Sequence, residues 1–252
     1  MYHKTERNTD DLIFGIRAVI EAIRSGKDID KVLIKRGLKG DLIKELFEEM
    51  HQNNIPFQEV PDEKLNRVSL KNHQGVIALI SPISFSVIEE VIASIFEKGQ
   101  EPFLLAVDEV TDVRNFGAIV RTAECAGVHA IVIPEKGSAR IGPDAIKTSA
   151  GALYKLPICR VSSLKKTLQY MQQCGIAVAG ATEKASDFYF IQNFKQPVCI
   201  VMGAEDTGLS NDVIRVCDTL IKIPVLGQIQ SLNVSVAASV LLYEAVRQRT
   251  NE

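Results

Sequence analysis

The feature that most constrains the fold is one kind of strand. "AIVI" (130–133) and "VCIVM" (198–202) are unbroken apolar runs, without the alternation of a half-exposed strand. A strand that is apolar on both sides must be covered on both faces, and in largely parallel sheets helices supply that cover. Strand–loop–helix units recur from "PFLLAVDEV" through "HAIVIPE" and "GIAVAGATE" to "TLIKIPVLG". The C-terminal part therefore reads as α/β with a mainly parallel sheet, and ligands belong at the carboxyl ends of its strands.

The N-terminal part has a different texture. "FGIRAVIEAIRSG" places Ile16, Val19, Ile20 and Ile23 on one helical face and stops at Gly26. "KVLI" reads as a strand, and "DLIKELFEEMHQNN" as a helix with Asp41 as its N-cap. "PFQEV" and "GVIALI" follow as strands, with a short helix "DEKLNRVS" between them. This describes a small α/β domain over 1–81, a linker with its own helix over 82–101, and a larger domain over 102–252.

Bulk properties exclude several classes. The net charge of −2 carries no signature of nucleic-acid binding, so any such contact rests on a local patch, for which Lys31, Lys35, Arg36 and Lys39 are candidates. On charge pattern alone that stretch reads first as a solvated surface. The five cysteines are scattered without a C-x-x-C pair, and no signal-like start is present, so reduced thiols in a cytoplasmic protein are expected. His3, His51, His73 and His129 lack metal-ligand spacing, no metal site is expected, and no apolar run reaches transmembrane length.

Three loops carry unusual polar residues. In "DVRNFGAIVRTAECAG", Asn115 is expected to cap a helix, Gly117 to leave its first turn open to a ligand, and Arg121 to follow further along. In "VCIVMGAEDTGLS" a buried strand stops at Gly203, with Glu205, Asp206 and Gly208 after it. Glycine turns after strands usually hold phosphates, but this pair of acids would repel one. In "IPVLGQIQSLNVSVAASVLLYEAV", Ser231 or Asn233 can cap a helix whose apolar stripe is Val234, Ala237, Ala238 and Leu241. Each loop alone is compatible with an ordinary capped helix or turn, and Arg121 alone with a surface arginine or one paired with Glu124.

In order, the set N-x-G-x-x-x-R-T-A-E, G-A-E-x-x-G-L-S and I-P-x-x-G-x-x-x-S-L-N-V-S-V-A-A closely resembles the signature motifs of the SpoU (TrmH-like) RNA 2′-O-methyltransferases of the SPOUT superfamily. The resemblance covers residues 102–249. The segment "FGIRAVIEAI…NHQGVIALI" is similar to the L30e/L7Ae-like RNA-binding domain of the family's RlmB-like, rRNA-modifying branch. Val113 and Ser239 depart from the family's usual proline and glycine.

The resemblance implies a trefoil-knotted methyltransferase domain, a homodimer and S-adenosylmethionine as cofactor. A sulfonium donor without phosphates answers the puzzle of the acid pair. It implies cofactor contacts at Gly203, Ile223 and Leu232, joined by Met202, Gly208 and Thr182, and a catalytic set of Arg121, Asn115, Glu205, Ser231 and Asn233. Arg121 would hold an RNA phosphate and the ribose hydroxyl. Since a guanidinium essentially never deprotonates, Arg121 is expected to act as an electrostatic clamp, with Glu205 held near Arg121 or Asn115. The implied substrate is a guanosine ribose in 23S rRNA. Alternatives are tRNA, a catalytically silent RNA-binding or ribosome-assembly factor, and a nucleotide-dependent oxidoreductase, which lacks its G-x-G-x-x-G.

Overall fold

The computed structural model describes residues 12–229 and 231–250. His3 and Gln230 lie outside the described residues. The chain divides into two compact units, 1–84 and 85–252.

In the first unit, β1 (Leu12–Phe14), β2 (Ile29–Lys35), β3 (Phe57–Val60) and β4 (Val76–Ile80) form a sheet in the order β1-β4-β2-β3. Only the β2–β3 pair is parallel. Strand alternation sends Val32, Ile34, Val76 and Ala78 to a core under α1 (Ile16–Arg24) and α2 (Asp41–Gln52). Leu33, Ile77 and Leu79 point the other way, onto Leu65 of α3 (Asp62–Val68). Asp41 is not the cap of α2: Gly40 occupies that position at φ 132° and makes no side-chain cap bond, and Asp41 is the first helical residue.

The second unit is a seven-stranded, wholly parallel sheet. Its strands are β5 (Phe103–Val107), β6 (Ala130–Pro134), β7 (Ile158–Val161), β8 (Ala177–Ala181), β9 (Asp187–Phe188), β10 (Val198–Met202) and β11 (Thr219–Lys222). They lie in the order β7-β6-β5-β10-β8-β11-β9. β10 enters last but one, between β5 and β8, and all five of its residues are buried. One face is covered by α4 (Ile88–Glu97) and α7 (Leu164–Gln173), which meet Leu104, Ala106, Val132, Val178 and Val201. α5 (Val113–Cys125) packs against both α6 (Pro143–Thr148) and α9 (Val234–Thr250), and α9 also contacts β10. Segment 82–101, read from sequence as a linker, contains α4, whose Ile88, Ile92 and Ile95 are built into this core.

The chain runs β5 to β7 toward one edge, then places β8 on the far side of the later β10. The sheet reverses at β5/β10/β8, and loops leaving neighbouring strand ends there splay apart into a crevice.

Candidate active site

The site begins at the end of β10. After Met202 the chain makes a tight turn closed by two backbone bonds, Ala204 N–H to Gly208 C=O (3.1 Å) and Gly208 N–H to Ala204 C=O (2.9 Å). A Cβ at Gly203 would lie 2.2 Å from the Gly208 carbonyl carbon and 2.3 Å from the Leu209 nitrogen, so only glycine fits. Gly208 turns the chain at φ 68°, a left-handed conformation that favours glycine. Asp108, which follows β5 and is buried, accepts the Ser210 N–H at 2.8 Å and ties this turn to the neighbouring strand.

The turn presents Glu205, whose carboxylate joins the three loops. Its Oε2 accepts from Asn115 Nδ2 (2.8 Å) and its Oε1 from Asn233 Nδ2 (2.9 Å). Asn233 Nδ2 also donates to Asn115 Oδ1 (3.1 Å), closing a triangle. Asn233 Oδ1 accepts from the Ser235 N–H (3.0 Å) and hydroxyl (2.6 Å), capping the start of α9. The two asparagine amides therefore have fixed orientations.

Two expectations for the first loop are corrected. Asp112, not Asn115, caps α5, accepting the Arg114 and Asn115 N–H groups at 2.9 and 2.8 Å. Asn115 is thereby freed, in the first turn, to reach Glu205. Gly117 does not leave room for a ligand; it makes room for α6, since a Cβ there would lie 2.7 Å from Thr148 Cβ and 3.1 Å from the Ala145 oxygen. Glu124 approaches Lys155 (3.9 Å) and not Arg121.

Beside the triangle is a cavity at the ends of three adjacent strands. β8 gives it Ala181, Thr182 and Glu183; β10 and its turn give Met202, Gly203, Glu205, Asp206 and Gly208; β11 gives Lys222 and Ile223; the third loop gives Ser231 and Leu232. All six residues expected to contact the cofactor line it, as do Glu205 and Ser231 of the expected catalytic set, while Asn115 and Asn233 reach it through Glu205. Arg121 does not line it. That residue is exposed on α5, and among the described residues it has no hydrogen bond or ion pair. Of the candidate RNA-binding residues in the first unit, Lys31 and Lys35 lie on β2, Arg36 and Lys39 are exposed just after it, and Lys35 meets Asp62 at 3.3 Å.

Sequence reasoning passed over Asp108, Glu183 and Lys222. Asp108 carried a signal, a carboxylate directly after the five apolar residues of β5. The others acquire their roles only through tertiary placement.

The lining discriminates among ligands. Glu183, Glu205 and Asp206 outnumber Lys222, and although the start of α9 lines the cavity through Val234 and Ala237, no cluster of cations joins it among the described residues to meet an anion. Apolar Met202, Ile223 and Leu232 beside the bare backbone of Gly203 suit a flat ring. The fold and site thus define an α/β protein whose cavity, at the reversal of a parallel sheet, is made for a cationic ligand with an aromatic body.

Comparison with known proteins gives that class its family. Residues 102–243 match the SpoU rRNA methylase family, and residues 12–86 match a domain described as RNA 2′-O ribose methyltransferase substrate binding. YacO of Bacillus subtilis, assigned to the TrmH family of tRNA/rRNA methyltransferases, is 34% identical over 239 residues, covering 95% of this chain and 96% of its own. A Staphylococcus haemolyticus protein of the same assignment is 36% identical over 240 residues, again covering 95% of this chain and 96% of its own. Among solved structures, the SpoU methyltransferase AviRb of Streptomyces viridochromogenes, in complex with AdoMet, superposes with a TM-score of 0.61 at 25% identity, covering 99% of this chain and 95% of that one. The TrmH/SpoU tRNA modifying enzyme of A. aeolicus gives 0.53 at 30% identity over 64% of this chain and 84% of its own.

The chain belongs to the SpoU/TrmH family of RNA 2′-O-ribose methyltransferases, and S-adenosylmethionine is its cofactor. When bound, that cofactor supplies a methyl group on a positively charged sulfur, which the cavity's acids and apolar rim suit. Among the described residues, no group of three or more His, Cys, Asp or Glu is placed to hold a metal, and no helix is long and apolar enough to cross a membrane.

Proposed function

We propose that the chain methylates a guanosine 2′-hydroxyl of 23S rRNA, acting as a homodimer in the cytoplasm. In this scheme residues 1–81 grip structured RNA, using Lys31, Lys35, Arg36 and Lys39. Segment 82–101 connects them to a trefoil-knotted catalytic domain over 102–252. The match of residues 12–86 to a substrate-binding domain and the tRNA/rRNA methyltransferase relatives that span 95% of the chain support an RNA substrate, and the description of the matched family as SpoU rRNA methylases favours rRNA.

The observation that carries the catalytic assignment is the triangle of Asn115, Glu205 and Asn233, drawn from loops far apart in sequence and meeting at the cavity wall. A ribose hydroxyl is a weak nucleophile, so the protein's tasks are alignment and charge stabilisation. Glu205 positions the two amides; Asn233 and Ser231 orient the cofactor and the incoming hydroxyl. Arg121, whose guanidinium has no hydrogen bond or ion pair among the described residues, clamps the adjoining phosphate and stabilises negative charge developing on the 2′-oxygen as its proton leaves to solvent. Gly203, Gly208, Met202, Thr182, Ile223 and Leu232 hold the cofactor.

A tRNA substrate is the second assignment, supported by the 30% identity to the A. aeolicus tRNA modifying enzyme. Mapping 2′-O-methyl groups in rRNA and tRNA from cells with and without the gene separates the two. Loss of one 23S guanosine mark is expected. A change confined to tRNA replaces the substrate, and no change in any RNA, with cofactor still bound, returns the chain to a silent binding factor.

A further inference from the structure

Three consecutive aromatic residues, Phe188, Tyr189 and Phe190, sit on the surface of the second unit rather than in a core. Phe188 and Phe190 lie nearly parallel (centroids 5.3 Å apart, 13° between planes), and Tyr189 meets Phe190 edge-on at 5.5 Å. Phe188 is 38%, Phe190 51% and the following Ile191 64% exposed. Such exposure is unfavourable by the hydrophobic effect and calls for a partner.

The cluster is held firmly. Phe188 belongs to β9, paired with β11. Beyond the rings, Phe194 is fully buried, its N–H donates to Gln248 Oε1 (2.9 Å), and Gln248 Nε2 donates to the Gln192 carbonyl (3.0 Å). The rings are therefore presented by a strand on one side and a clasp to α9 on the other.

The cluster also adjoins the cofactor cavity. Lys222, the register partner of Phe188, lines that cavity and places its Nζ 5.2 Å from the Phe188 ring centroid. Paired strands lie about 5 Å apart, so the rings stand roughly one nucleotide's reach from the cavity mouth. RNA whose ribose enters the cavity must lay its neighbouring nucleotides on the surrounding surface.

We propose that Phe190, backed by Phe188, forms a stacking platform for an RNA base flanking the methylated nucleotide, with Lys222 over the Phe188 ring. The assignment rests on the chain's being an RNA methyltransferase and adds a recognition surface to it. Stacking suits this position better than phosphate binding, because Glu183, Glu205 and Asp206 outnumber Lys222 in the adjoining cavity, whereas a base's face tolerates acids. A second copy of the chain suits it less. Phe188, Phe190 and Ile191 together expose on the order of 300 Å², taking 150–250 Å² for a whole aromatic side chain. A stable protein interface needs about 800 Å² per partner.

The test uses the full chain with a short single-stranded oligoadenylate carrying one 2-aminopurine, whose fluorescence is quenched on stacking. Binding with quenching is expected. Phe190→Ala should weaken affinity about tenfold or more and abolish quenching, Phe190→Leu should do the same, and Phe190→Trp should restore both. S-adenosylmethionine affinity, read by calorimetry, should stay within twofold for all three. Wild-type affinity and quenching in Phe190→Ala overturn the platform, as does full function in Phe190→Leu, which would make the patch merely apolar. A change in oligomeric state at sedimentation equilibrium, without a change in RNA binding, assigns the patch to protein contact instead. Methyl transfer to bulk cellular RNA, measured alongside, keeps the two ideas apart. Transfer that persists while the platform fails leaves the methyltransferase intact, whereas absence of both binding and transfer in the wild type removes both.

Discussion

Replacing Gly203 by alanine tests the cofactor cradle through one added methyl group. Gly203 does not need a glycine's backbone freedom, so the obstacle is steric. The new Cβ would lie 2.2 Å from the Gly208 carbonyl carbon and 2.3 Å from the Leu209 nitrogen, both of them backbone atoms that no rotamer change can move. To reach ordinary contact the 204–208 turn must retreat by about 1 Å, the scale of displacement that costs on the order of 100-fold where geometry is critical. The same retreat strains the Ala204–Gly208 bridge and the Asp108–Ser210 bond, each worth about 1 kcal/mol. The expected result for Gly203→Ala is a folded protein, destabilised by about 1–3 kcal/mol, that has lost S-adenosylmethionine affinity by about two orders of magnitude. Gly208→Ala is the matched control. Nothing stands within 4 Å of its Cβ, but φ is 68°, so it should lose about 1–2 kcal/mol of stability and much less affinity. Calorimetric titration with the cofactor and thermal unfolding read both quantities. Gly203→Ala binding within twofold of wild type would refute the cradle.

Asn233→Ala removes two amide bonds and the α9 cap, and should cost about 1 kcal/mol in stability while lowering methyl transfer at least 100-fold; unchanged turnover would remove the triangle from catalysis. Arg121→Lys keeps the charge but not the planar fork, so RNA affinity and turnover should both fall, and full turnover would contradict bidentate clamping. Burial lowers the pKa of His129, aided by nearby Arg249, and its Nδ1 accepts the Phe103 N–H. Because the unfolded chain protonates this residue first, it should contribute a loss of stability as pH falls below about 6.5, a slope that His129→Gln should reduce in urea titrations at several pH values. Among the cysteines, Cys125 is exposed, whereas burial pushes Cys159 and Cys217 up to about 12, so a maleimide probe followed by mass spectrometry should label Cys125 well ahead of them.

The parallel sheet was legible because a strand such as "VCIVM" has no polar face to offer solvent, and the structure buries all five residues. Gly203 was legible as the stop of a buried apolar strand, whereas Ile223 and Leu232 entered as cofactor contacts through the family resemblance. Which loops meet was not legible from the residues alone. Asn115 and Glu205 become neighbours because β10 inserts between β5 and β8, a strand order that periodicity does not encode; that these residues share one site entered as an implication of the family resemblance. Capping was misjudged where two acceptors compete. Asp112 lies three residues before Asn115, and once it takes the cap, Asn115 turns toward Glu205. Gly117 has the same sequence signature whether a ligand or a helix occupies the space, and only the packing of α6 decides. β9 went unread because two residues, Asp187 and Phe188, carry no alternation to detect.

The most direct measurement is a crystal structure of the chain saturated with S-adenosylmethionine. The expected density places the adenosine against Gly203, Ile223 and Leu232, with the sulfonium toward the carboxylate side of the cavity at Glu205. Density at another site, or an empty cavity in crystals whose solution counterpart binds the cofactor, would contradict the account.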